Sequence, residues 1–88
     1  NLVSNHIQQF RKEMGLHMWN EIQVYFKTED EDMMDFLLNS IDDFDTILVN
    51  KPIVCKEFDG IQTHIKSAIT TMELEKKEIE IMIDVIKE

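Results

Sequence analysis

From Val54 to Ile86 the chain carries one stripe that constrains its fold more than any other feature. Val54, Phe58, Ile61, Ile65, Ala68, Met72, Glu75, Ile79, Met82 and Ile86 follow one another at alternating steps of four and three, and all but Glu75 are apolar. Such spacing keeps side chains on one side of an α-helix, and sustained over several heptads it marks a helix packed along its length. Just before the stripe, Pro52 bars the α conformation at Lys51 and suits the first turn of a new helix. The pattern therefore predicts a helix over about residues 52–87, continuing through Gly60.

The rest of the chain reads in the same way. Thr28 followed three residues later by Glu31 is a capping-box pattern, and the acids of 29–32 suit the positive end of a helix. A second helix is expected over about 29–50, with Met34, Leu37, Leu38, Ile41, Phe44 and Leu48 on its stripe. A first helix is expected over about 2–27, carrying Val3, Ile7, Phe10, Met14, Met18 and Tyr25. Leu16, Trp19 and Phe26 fall on its opposite side, and the phase shifts at Gly15, which predicts a bend or a cover on two sides. Short connections favour antiparallel neighbours. The expected fold is all-α: one domain over 1–88, a three-helix antiparallel bundle with a long, overhanging third helix. Only two Gly and one Pro are present, little material for the tight turns of a sandwich or barrel. The alternative is α+β, with a short hairpin near 46–55 around Asn50-Lys51 and a C-terminal strand at 78–86, where Glu78-Ile79-Glu80-Ile81 alternates.

Charge and motifs exclude several function classes. Nine basic and 18 acidic residues give a net charge of −9, which opposes direct binding to nucleic acid or an anionic bilayer. No apolar run approaches the roughly 20 residues that span a membrane, so no membrane insertion is expected. No signal peptide is visible and the location expected is cytoplasmic or otherwise intracellular; a start on Asn1 suggests a trimmed or excised segment. Cys55 alone makes neither an internal disulfide nor a zinc site, and it is expected to be a buried, inert thiol. Neither a nucleophile elbow nor an EF-hand spacing is present, so no enzyme, no catalytic residue, no cofactor and no metal are expected. His17 aligns with Glu13 and Glu21 at i±4, and a bundle would place it level with His64; two histidines are too few for a metal site. Six methionines, at 14, 18, 33, 34, 72 and 82, suit core packing better than an adaptable surface.

Two features point to a partner. Between Thr28 and Asn50 lie eight acids and no base, among them Asp35, Asp42, Asp43 and Asp45. They form either a solvated face or a docking face for a basic patch. At about 1.5 Å per residue the third helix outruns the second by ~20 Å, so residues beyond 75 overhang the bundle. That overhang is apolar on two sides and needs a cover, a second copy or another protein. The candidate partner-binding residues are thus Asp35, Asp42, Asp43, Asp45, Leu74, Ile79, Ile81, Met82 and Val85, with a possible second patch of Leu16, Trp19 and Phe26. The function expected is a non-catalytic, regulatory or adaptor protein-interaction module, self-associating or binding another protein. The alternative is an acidic inhibitor that stands in for nucleic acid on a partner's basic site. A third reading starts from His64-Ile65-Lys66-Ser67, to be compared with histidine phosphotransfer domains, which are small acidic helical bundles with one exposed reactive histidine. Those domains have a Lys three residues after the His; here Lys66 follows by two.

Overall fold

A computed structural model describes residues 2–41 and 50–88. Helix α1 (Leu2–Glu13) buries Val3 and Ile7 and stops at Gly15. Gly15 takes φ +76°, its N–H bonds the Lys12 carbonyl, and the Leu16 N–H bonds the Arg11 carbonyl, each at 3.0 Å. This pair of bonds is a Schellman cap, which a residue in the left-handed region makes possible. The phase shift at Gly15 is therefore a stop, and the expected helix over 2–27 is corrected: its second half is a loop and a strand.

That strand, β1 (Glu21–Lys27), alternates strictly, with Ile22, Val24 and Phe26 buried and Glu21, Gln23, Tyr25 and Lys27 on the other side. Helix α2 (Glu31–Ser40) follows. Its N-cap is Asp30, whose Oδ1 accepts the Met33 N–H at 2.8 Å, while Thr28 Oγ1 accepts the Asp30 N–H at 3.1 Å. Thr28 thus shapes the turn before the cap, two residues ahead of the role expected for it. Met33 and Leu37 are buried, and the expected helix over 29–50 is described only as far as Ile41. Residues 42–49, with Asp42, Asp43, Phe44, Asp45 and Leu48, lie outside the described residues.

The third helix is not there. Its span holds β2 (Ile53–Cys55), β3 (Lys66–Leu74) and β4 (Lys77–Lys87). Pro52 is buried ahead of a strand, Gly60 turns the chain at φ +83°, and Glu75 and Lys76 turn it again at φ +50° and +65°. The Glu75-Lys76 turn joins β3 to β4 in register, with Leu74 opposite Lys77, where the stripe ran on without a break. The all-α bundle, its overhanging helix and its coiled-coil character are corrected to α+β. The strand expected at 78–86 falls within β4. A strand also occurs inside the 46–55 region: β2 pairs parallel to β1, Tyr25 facing Ile53, while the first half of the expected hairpin lies outside the described residues.

The sheet runs β2-β1-β4-β3, with β4 antiparallel to both neighbours. Its first face carries Ile22, Val24, Phe26, Ile79, Ile81, Ile83 and Val85, which form one buried cluster with Val3 and Ile7 of α1 and Met33 and Leu37 of α2. Fully burying each aliphatic side chain stabilises the fold by roughly 1.5–3 kcal/mol before chain entropy is charged against it. Leu74, Ile79, Ile81 and Val85, expected to project, are 7% exposed or less. Met82 is also buried, but on the second face. There, residues 56–65 link β2 at one edge to β3 at the other and so cross the sheet. Lys27 Nζ stands 5.8 Å from the Phe58 ring centre, and His64 reaches Asp84.

Candidate interaction surface

At the end of the sheet where β1 begins and β3 begins, the chain between α1 and β1 holds apolar side chains out of the core. Met18 is 95% exposed and Trp19 73% exposed. Their loop is nonetheless tied down. Asn20 Oδ1 accepts the His17 N–H at 2.6 Å, the Asn20 N–H bonds the His17 carbonyl at 3.1 Å, and Arg11 Nη2 bonds that same carbonyl at 3.2 Å. The Trp19 indole lies flat on the His17 imidazole, 4.3 Å between centres and 7° between planes. Stacking of this kind fixes a ring that would otherwise sample several rotamers.

Two clefts flank the loop and share Leu16, His17 and Trp19. One, of about 360 Å³, is walled on its far side by Ile65, Lys66, Val85 and Glu88. The other, of about 350 Å³, is walled by Gln8, Arg11, Lys12 and Met18. Lys66 Nζ bonds the Met14 carbonyl at 2.7 Å, holding the start of β3 against the end of α1. Ile65 adds a 53% exposed side chain.

Of the residues expected to bind a partner, this end gathers Leu16 and Trp19. Phe26, assigned to the same patch, is fully buried in the core, because β-alternation turns it with Ile22 and Val24. Asp35 is exposed on α2, near the opposite end, while Asp42, Asp43 and Asp45 lie outside the described residues. Leu74, Ile79, Ile81, Met82 and Val85 are buried within their own sheet, so the overhang that made them contact residues is withdrawn. Met18 and Ile65 were missed as surface residues; a stripe assigned to a helix had placed both inside.

The second face holds a pair that spacing did not suggest. Asp84 is fully buried; its Oδ1 accepts the His64 N–H at 2.9 Å and its Oδ2 lies 2.7 Å from His64 Nδ1. The geometry assigns the Nδ1 proton to this bond and turns Nε2 outward on a side chain 53% exposed. The pair pins the crossing segment to β4. Tyr25, on the same face, has its phenol pushed up by burial and by the nearby charges of Asp84 and Cys55. Burial likewise raises the Cys55 thiol, outweighing the cation of Lys27, and the sulfur sits 3.5 Å from the Phe26 carbonyl. Among the described residues no group of three or more His, Cys, Asp or Glu side chains converges as a metal site, and His17 packs on Trp19. No described helix is long and apolar enough to cross a membrane. Comparison of the chain with protein-family models, with curated proteins and with solved structures finds no match.

Proposed function

We propose that this domain is a protein-interaction module whose contact surface is the Leu16–Trp19 loop and the two clefts beside it. One observation carries the reading: a tryptophan that is largely exposed yet stacked on the His17 imidazole in a loop closed by hydrogen bonds. An ordered aromatic anchor loses little freedom on binding, and Trp is among the residues that dominate interface energies. Met18 and Ile65 extend the apolar contact, while Arg11 and Lys12 give its rim positive charge within an acidic chain.

The test is affinity capture from the source cell with the chain and with Trp19→Ala, followed by titration of the partner so identified. The exposed indole contributes little to the core, so the variant keeps its circular dichroism. Loss of an interface anchor worth about 2 kcal/mol lowers affinity roughly 30-fold. Unchanged capture by Trp19→Ala overturns the reading. Binding that instead collapses with salt, and with charge reversal at Asp42, Asp43 and Asp45, selects the acidic inhibitor of a nucleic-acid site.

A further inference from the structure

We propose that two copies of this chain join edge to edge through β3, antiparallel about a two-fold axis at Ile69, and so merge their sheets into one. An edge strand presents a row of backbone N–H and C=O groups with no ladder partner, and natural sheets guard such rows with short strands, charges, prolines or bulges. The two edges here differ in this respect. β2 is three residues long and stands between Lys51-Pro52 and Lys56. β3 is nine residues long, pairs with β4 without a register shift, and has neither Pro nor Gly. Its one base, Lys66, is its first residue and is engaged by the Met14 carbonyl. From Ser67 to Met72 it is uncharged and rich in β-branched residues. Among the described residues no strand pairs with its outer side.

The sequence of β3 fits itself. An antiparallel pair that keeps both helix layers on one side must set residues of equal parity opposite each other. Centring on Ile69 places Lys66 opposite the second copy's Met72, Ser67 opposite its Thr71 and Ala68 opposite its Thr70. No like charges face each other, which matters for a chain of net charge −9. The acid Glu73 falls past the pairing, level with the second copy's Ile65. Ile69, 53% exposed, then packs on its own image on the face away from the helices. The pairing borders the Trp19 clefts at Ile65 and Lys66, but its centre at Ile69 lies outside them, so Trp19→Ala and Ile69→Lys test the two proposals separately.

The test is mass by light scattering across a concentration series, with Ile69→Lys as the first variant. The chain is expected to double in mass as concentration rises, and Ile69→Lys, which sets two ammonium groups face to face at the axis, to remain monomeric with unchanged circular dichroism. A second experiment reads the register. In a Cys55→Ser background, Ile69→Cys forms an intermolecular disulfide on mild oxidation, whereas Thr71→Cys, opposite Ser67, does not. The proposal is overturned by a chain still monomeric at about millimolar concentration. It is equally overturned by a dimer that survives Ile69→Lys, by cross-linking at 71 in preference to 69, or by a monomer that takes up a foreign extended peptide at β3 instead.

Discussion

Gly15 decides where α1 ends, and its cost of replacement is conformational alone. A Cβ at that position meets nothing within 4 Å, yet the backbone sits at φ +76°. Gly15→Ala is expected to lose about 1 kcal/mol of stability, read as a lower urea midpoint with unchanged slope. At the other end of the domain Asp30 caps α2 and meets Lys77 Nζ at 2.7 Å. The Lys77 ammonium first, and then the Met33 N–H, hold its carboxyl below the ordinary value. A group lowered in the folded state adds stability above its unfolded value and loses it as pH falls through the folded one. Stability is therefore expected to drop on acidification below about pH 4. Asp30→Asn, which keeps a capping oxygen but no charge, should flatten that slope in thermal melts between pH 2 and 5 without removing α2.

At the scale of elements, the β3–β4 hairpin turns on two consecutive residues with side chains in the left-handed region, Glu75 and Lys76. Such turns favour Asn-Gly, and each non-glycine residue held there costs on the order of 1 kcal/mol. Glu75→Asn with Lys76→Gly is expected to raise the melting temperature by roughly 4–8 °C per kcal/mol gained. The same two residues explain what sequence reasoning lost. Glu-Lys carries no turn chemistry, so nothing interrupted the apolar stripe between Met72 and Ile79. β4 is covered on both faces, which makes Ile81-Met82-Ile83 a continuous apolar run instead of an alternation. In β1 the alternation of Ile22, Val24 and Phe26 is complete, but it is seven residues long and followed a genuine helix whose phase it nearly continued. The start of α2 near residue 30, a break of phase at Gly15 and, as the alternative reading, the strand at 78–86 were legible from local chemistry. The order of strands, the burial of Phe26 and the meeting of His64 with Asp84 were not, since each depends on pairings twenty or more residues apart.

The whole molecule is acidic, and its charges are unevenly placed. Glu29, Asp30, Glu31, Asp32, Glu75 and Glu78 crowd the end where α2 starts and β3 turns into β4, with Lys76 and Lys77 among them. The Trp19 loop lies at the other end, where Arg11, Lys12 and Lys66 stand. Repulsion within a chain of net charge −9 opposes compaction, and salt screens it. The melting temperature is therefore expected to rise as sodium chloride goes from about 0.01 to 0.5 M, with most of the gain before the screening length falls under ~8 Å. A fall over that range would mean that attractive pairs such as Lys27–Glu80 and Lys77–Asp30 outweigh the repulsion.

The position of β4 also sets a timetable. It comes after every other element in chain order, yet it lies between β1 and β3, and its pairing with β1 joins residues as far apart as Glu21 and Lys87. While the ribosome is still making residues 77–87, β3 has no neighbour and β1 has only the three-residue β2. The helices can form, but the face they are to cover is missing its middle strand. Folding of this domain is thus expected to be a single late event. A nascent or truncated chain that stops before Ile81 displays an unpaired β3, a β1 paired only with β2 and an open apolar face to whatever chaperone or protease meets it first.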